Sequence, residues 1–489
     1  MNRKMILRMV GLMLLAEAAL MTLPAITALI YGEACLWAFL ISMGIAGAAG
    51  LCIHLLCKPD TRVIYAREGF ITVALTWLVL SAVGALPFFI SGEIPNYIDA
   101  FFETVSGFTT TGSSILTDVE AMSHGLLFWR SFTHWVGGMG ILVFLMALVP
   151  GLSDRSIHIM RAEMPGPVVG KLMPRARDTA GILYKIYIVM TGVEIILLLL
   201  GGMPLFESLV HAFGTAGTGG FGIKADSIAG YSPYLQWVIT IFMLLFGVNF
   251  NLYYLLLARR WRAALQGSEV WYYFGIVGVS VALITANILP IYQNLSTALR
   301  HSAFQVSSII TTTGYATADF NQWPQLSKSI LLILMMVGAC AGSTGGGLKV
   351  SRAVMLCKTA MKELKYLIHP HSVSSVRFEG KNVDGATLKS VSSYFVLYMG
   401  IILGTFLILS FQGFDLETNL SATISCFNNI GPGLGAVGPA SSFAAYNGFN
   451  KLILSLAMLL GRLEIMPLIL SLSPAMWAKK RTLRQDKPA

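Results

Sequence analysis

The sequence predicts an all-α polytopic membrane protein: four repeats of helix, re-entrant pore loop and helix around one pore, preceded by an extra N-terminal helix pair. Three observations carry this expectation. Of 489 residues, 55% are hydrophobic and only 12% charged, and the mean hydropathy is +0.70, whereas a soluble domain carries about 25% charged residues. Apolar runs of about 18 residues or more, enough to cross a bilayer as a helix, recur along the whole chain. Between later runs lie glycine-centred segments at nearly even spacing.

Ten crossings are expected, near 5–30, 35–57, 69–91, 126–150, 179–203, 234–258, 270–292, 327–358, 390–411 and 450–473. The first follows Asn2, Arg3 and Lys4; it exceeds the apolar stretch of about 7–15 residues in a signal peptide and reads as a retained helix. With both termini on one side, 26 of the 34 Lys and Arg residues fall on that side and four on the other. Basic residues collect in the cytoplasm, so both termini are expected there, in the plasma (inner) membrane. The net charge of +10 therefore reflects membrane topology. No basic cluster interleaved with aromatics points to nucleic acid. Six scattered cysteines without a C-x-x-C pair imply neither a disulfide framework nor a zinc site.

Four segments on the sparsely basic side, 97–124, 205–232, 296–326 and 416–448, are long, moderately apolar and rich in Ser, Thr and Gly. Each opens with a stretch of helical character too short to cross, at 98–108, 206–213, 296–309 and 417–427. Each then reaches a glycine: Thr-Thr-Thr-Gly-Ser at 109–113, Gly-Thr-Gly-Gly-Phe at 217–221, Thr-Thr-Thr-Gly-Tyr at 311–315 and Asn-Asn-Ile-Gly-Pro-Gly at 428–433. Taking Gly112, Gly220, Gly314 and Gly431 as equivalent, the spacings are 108, 94 and 117 residues, an internal fourfold repeat. The chain divides into the helix pair 1–62 and repeats at 63–155, 156–262, 263–375 and 376–489. Non-helical backbone at membrane depth needs protein or water to satisfy it. Four such loops about one axis supply rings of carbonyls that replace a cation's water, with glycine permitting the necessary angles. Small-residue helix packing is the competing reading for any one loop, and four in matching positions weigh against it.

These residues resemble the Trk/Ktr/HKT superfamily of cation-translocating subunits, in particular the bacterial TrkH type, over the whole chain. The signals are Ser-Gly-Phe-Thr-Thr-Thr-Gly at 106–112, His-Trp-Val-Gly-Gly-Met-Gly at 134–140, Gly-Ser-Thr-Gly-Gly-Gly-Leu-Lys-Val at 342–350, Asn-Asn-Ile-Gly-Pro-Gly-Leu-Gly at 428–435 and Gly-Arg-Leu-Glu-Ile at 461–465. The extra helix pair favours the TrkH branch over the KtrB branch. The resemblance implies a potassium pore, a homodimer, and a cytoplasmic TrkA-type ring that binds the regulatory nucleotide (ATP/ADP or NAD). It implies a filter at Thr111, Gly112, Gly219, Gly220, Thr313, Gly314, Ile430 and Gly431 that holds potassium ions, with Gly219 and Gly220 left as alternatives for the second loop. In related plant transporters serine in the first filter position goes with sodium transport; glycine here favours potassium.

The eighth run contains Gly338 to Gly347 with five glycines, each costing a helix interior about 1 kcal/mol relative to alanine, so a break is expected. By resemblance, Gly342, Ser343, Thr344, Gly345, Gly346 and Gly347 form the intramembrane loop that obstructs the pore. Arg462, midway along the last run, costs about 3 kcal/mol at a helix centre and by resemblance holds that loop. Glu464, two residues on, lies on another helix face and cannot pair with it. Lys349 and Arg352 are expected at the cytoplasmic mouth, facing the partner ring. The inside loops 152–178 and 349–389 are the expected partner surfaces. Glu93, Asp99, Glu103, Asp118, Glu120, Asp415 and Glu417 are expected as solvated charge around the outer mouth. No nucleophile and base pair, metal spacing or phosphate loop points to an enzyme or to a nucleotide bound by this chain. The alternative class is a sodium- or proton-coupled secondary transporter, which two inverted halves would favour.

Overall fold

The computed structural model describes residues 2–58, 66–140, 176–371 and 375–474. Among these, six helices are long and apolar enough to span a bilayer: Arg3–Tyr31, Cys35–Leu56, Arg67–Ser91, Asp178–Leu200, Ser268–Tyr292 and Gly385–Gln412. The chain is a multi-pass membrane protein. The N-terminal pair crosses tightly, since a Cβ on Gly50 would lie 2.8 Å from the Gly11 carbonyl oxygen, the small-residue approach by which helices associate in lipid.

Four short helices follow at the expected places: Tyr97–Phe108, Leu205–Gly217, Leu295–Ile310 and Leu416–Asn428. Three start at side-chain caps, where Asn96 accepts from Ile98 N at 2.9 Å, Asn294 from Ser296 N at 2.9 Å and Asp415 from Thr418 N at 3.2 Å. The second starts at Pro204, whose carbonyl accepts from Ser208 N at 2.8 Å. These caps satisfy N–H groups that a helix start leaves open.

The helices returning from the four loops are not the continuous crossings expected near 126–150, 234–258 and 450–473. The first runs His124–Gly138 and ends at Met139 and at Gly140, of φ +87°; 141–150 of that run lie outside the described residues, as do 152–175 of the first expected partner loop. The second bends by 91° between Pro233–Phe246 and Phe250–Leu257, with Asn249 capping the second piece through Asn251 N at 2.9 Å. The third breaks between Gln325–Val337 and Val350–Ile368, where the glycine run stands. The fourth breaks between Gly448–Arg462 and Met466–Leu472, with Glu464 and Ile465 at φ +55° and +64°. A hairpin of Arg377–Phe378 and Lys381–Asn382 follows the third repeat; its Phe378 packs with Met355 and Val391.

Candidate functional site

The four loops after the short helices share one backbone. Thr110, Thr218, Thr312 and Asn429 take φ of +56° to +58°, a conformation that costs a residue with a Cβ about 1–2 kcal/mol. The N–H of the next residue returns to its own helix: Thr111 to Ser106 O, Gly219 to Gly214 O and Thr313 to Ser308 O at 2.8 Å, and Ile430 to Ser425 O at 3.0 Å. The glycine follows at φ +80°, +72°, +86° and +107° for Gly112, Gly220, Gly314 and Gly431. The second loop is thereby resolved: Gly220 matches the other three glycines, and Gly219 matches Thr111, Thr313 and Ile430. Gly219 has no side chain because a Cβ would enter the ring of buried His134, itself held by Gly107 O at 2.7 Å.

The loops close into a ring. A Cβ on Gly112 would strike the Gly219 carbonyl oxygen, one on Gly220 that of Thr313, and one on Gly314 that of Ile430; one on Gly431 would sit 2.9 Å from that of Thr111. Each glycine thus makes room for the preceding carbonyl of a neighbouring loop. Among the described residues these four carbonyls accept no hydrogen bond from the protein. All four glycines line one open cavity of about 360 Å³, together with Ser113, Arg130 and Lys224.

Behind the ring lies an ion pair that sequence reasoning missed. Arg130 Nε donates to Glu103 at 2.5 Å, and Arg130 NH1 donates to Gly222 O at 2.9 Å. Its guanidinium stacks 3.6 Å from the Phe221 ring. Glu103 also accepts from Ser114 Oγ and Ile115 N, both at 3.0 Å. The pair ties the first loop to the second. Glu103 is therefore buried, not solvated, and Asp99 and Glu417 pair with Lys451 at 2.7 Å and Lys328 at 2.9 Å. The lysines that bind them stand hundreds or tens of residues away, beyond any local pattern.

On the face of the ring away from the cavity sits the glycine run of the third repeat. Gly346 N donates to Thr312 Oγ1 at 2.6 Å. Thr344 Oγ1 donates to Phe246 O at 3.3 Å. A Cβ on Gly345 would meet the Thr311 carbonyl oxygen at 2.9 Å, and one on Gly346 would strike that of Asn428. Gly342 O accepts from Phe250 N at 3.1 Å. Buried Arg462 donates to Gly137 O at 2.5 Å, Gly138 O at 2.6 Å, Thr344 O at 3.0 Å and Thr110 Oγ1 at 3.5 Å. Ser343 and Gly347 complete the run, Gly347 at φ +76°.

Lys349 and Arg352 do not face outward as expected; they are 1% and 5% exposed. Lys349 Nζ donates to Gly345 O. Arg352 grips both oxygens of Glu464, one at 3.1 Å, and lies 4.1 Å over the Tyr394 ring. A cation in a hydrophobic segment is stabilised by fixed carbonyls and a carboxylate, and Glu464 of the fourth repeat supplies the latter. Glu464 is thus the mate of Arg352, consistent with its not pairing with Arg462.

A family model described as TrkH, cation transport protein, matches residues 38–275 and 279–479. The Trk system potassium uptake protein TrkH of Salmonella typhimurium is 37% identical over 487 residues, covering 98% of this chain and all of that protein. TrkG of Escherichia coli K12, a Trk system potassium uptake protein, is 34% identical and covers 97% of this chain and 98% of its own. The crystal structure of the potassium transporter TrkH from Vibrio parahaemolyticus superposes with a TM-score of 0.88 at 31% identity, covering 98% of this chain and all of that one. The ring, the broken helices and the full-length similarity agree: the chain belongs to the TrkH family of cation transport proteins.

Proposed function

We propose that this chain takes up potassium through the four-loop ring. The observation that carries the reading is the closed circle in which each glycine admits a neighbour's carbonyl, leaving Thr111, Gly219, Thr313 and Ile430 with oxygens that no protein donor uses among the described residues. A dehydrated monovalent cation takes its oxygens from these carbonyls and from those of Gly112, Gly220 and Gly314, whereas the Gly431 carbonyl is held by the hydroxyls of Ser113 at 3.0 Å and Ser425 at 2.8 Å. The short helices point their partially negative C-termini at the same place. An inside-negative potential then drives entry: one charge through 100 mV gains about 2.3 kcal/mol, enough for roughly a fifty-fold gradient. No coupled ion is required, and a ring of four like loops favours a pore over a transporter of two inverted halves.

The loop of Gly342, Ser343, Thr344, Gly345, Gly346 and Gly347 obstructs the pore beneath the ring, with Arg462 as its clasp and a positive barrier to resting cation flow. Both termini lie in the cytoplasm, as the basic residues sort. Two copies of the chain assemble as a homodimer on a cytoplasmic ring that binds the nucleotide, ATP/ADP or NAD; the relatives' names as parts of a Trk system support such a partner. The test is radioactive rubidium uptake into proteoliposomes holding this chain alone, under an inside-negative potential. Competition by potassium, weakly by sodium, and loss of that discrimination in Gly314→Ser are expected. Equal competition by both ions, or no flux even with the cytoplasmic ring added, overturns the reading.

A further inference from the structure

Glu269, the second residue of the helix Ser268–Tyr292, is 6% exposed and enters none of the roles above. One of its oxygens, Oε1, accepts both Ala341 N at 2.8 Å and Ser351 N at 3.1 Å. Those donors stand on the two flanks of the glycine run, one just before Gly342 and one at the start of the helix Val350–Ile368. A single carboxylate oxygen therefore closes the loop at both ends. The bland alternative, an ordinary helix cap, uses neighbouring N–H groups of one helix start, whereas here one of the two donors lies ten residues upstream, before the loop.

The same helix start carries a second contact. Glu379, at the tip of the hairpin, accepts Glu269 N at 2.9 Å and Ser268 Oγ at 3.4 Å, and its own N–H donates to Ser268 Oγ at 3.3 Å. The hairpin is fastened from its other side to the helix that follows the loop: Phe378 packs on Met355, and Lys358 Nζ donates to Arg377 O at 2.9 Å. Displacing the hairpin pulls on Glu269 and on the post-loop helix together.

We propose that Glu269 is the positioning residue that latches the intramembrane loop, and that the hairpin 375–384 works the latch through Glu379. The inference rests on the reading of that loop as the gate. It narrows the long inside segment 349–389 to one two-stranded element through which a cytoplasmic partner reaches the pore.

The buried Cys340 beside Ala341 reports the loop without reference to any ion. The experiment measures, in proteoliposomes of the full chain, rubidium flux and the rate of Cys340 modification by a charged methanethiosulfonate, located by peptide mapping. Glu269→Ala is expected to raise both about tenfold, equivalent to about 1.4 kcal/mol. Glu269→Gln keeps a carbonyl oxygen able to accept both N–H groups and is expected to restore wild-type behaviour, which a requirement for charge would not allow. Glu379→Ala, an exposed change that leaves the loop's own bonds intact, is expected to give a smaller rise in both. Wild-type Cys340 rates in Glu269→Ala overturn the latch. Should that variant fail to assemble, wild-type rates in Glu379→Ala overturn the coupling. Faster Cys340 modification in a chain that passes no rubidium in any form leaves the latch standing and refutes the potassium pore instead.

Discussion

Replacing Gly314 by serine asks which of two physical terms governs the ring. Gly314 has φ +86°, and holding a residue with a Cβ in left-handed backbone costs about 1–2 kcal/mol, or roughly a 5- to 30-fold loss of the native loop at about 1.4 kcal/mol per decade. The Cβ also lands on the Ile430 carbonyl oxygen and 2.9 Å from Pro432 Cδ, so the carbonyl must retreat from the axis. Gly431 separates the terms. Its φ of +107° is further from the left-handed well, yet its Cβ meets nothing nearer than the Thr111 oxygen at 2.9 Å. Carbonyl displacement costs selectivity, whereas backbone strain costs folding. Gly314→Ser is therefore expected to lower the potassium-over-sodium preference in rubidium competition about tenfold, a loss of about 1.4 kcal/mol. Gly431→Ser is expected to lower the thermal midpoint more and the selectivity less. A larger selectivity loss in Gly431→Ser than in Gly314→Ser refutes the account in which carbonyl collision sets discrimination.

Arg462→Ala removes donors to Thr344 O, Gly137 O and Gly138 O; with bonds to a charged group contributing about 1.5–3 kcal/mol each, basal rubidium flux is expected to rise at least about tenfold, and an unchanged flux rules out its role as clasp. Thr312→Val keeps the shape but strips Gly346 N of its acceptor, at about 1–3 kcal/mol for a buried unpaired donor; the leak is expected to rise, and a flux equal to wild type shows that this bond does not hold the loop. Arg352→Ala leaves partly buried Glu464 without its mate and is expected to lower stability by about 3 kcal/mol, read as a fall in the thermal midpoint in detergent. Adding Glu464→Gln is expected to recover part of that loss, and strict additivity of the two changes refutes a direct coupling.

The features legible in the sequence are those written in local composition. Apolar runs, basic loops, four spaced glycines and the crowded glycines from Gly338 to Gly347 each act where they stand. What was not legible is settled by contacts between distant segments. The bend after Phe246 carries only Gly247 and Asn249 as local marks, weak against a strongly apolar run. The break after Arg462 has no glycine or proline at 463–465; it forms where Arg462 bonds to the backbone of the first and third repeats and Glu464 to Arg352. The positive φ of Thr110, Thr218, Thr312 and Asn429 opposes residue preference and is imposed by the return of the next N–H to the helix. Arg130 and Glu103 were each visible singly, but a pairing 27 residues apart across a loop has no periodic signature.

The glycine run belongs to the third repeat, yet it is tied to all four, by direct bonds to the second, third and fourth and through Arg462 to the first. Thr312 of its own repeat accepts from Gly346, and Phe246 of the second accepts from Thr344. The Asn428 carbonyl of the fourth stands where a Cβ on Gly346 would be. The first is reached through Arg462, which donates to Thr344 O and, from the same guanidinium, to Gly137 O and Gly138 O. In the proposed pore, one of four like quarters seals against the others, so four plugs are not needed. The consequence is asymmetry: the loop cannot withdraw without releasing Thr312, which stands two residues from Gly314, and freeing Arg462, which also holds Thr110 Oγ1. On the reading of the loop as the gate, opening therefore relaxes the first and third filter loops before the other two, and conductance and discrimination change together.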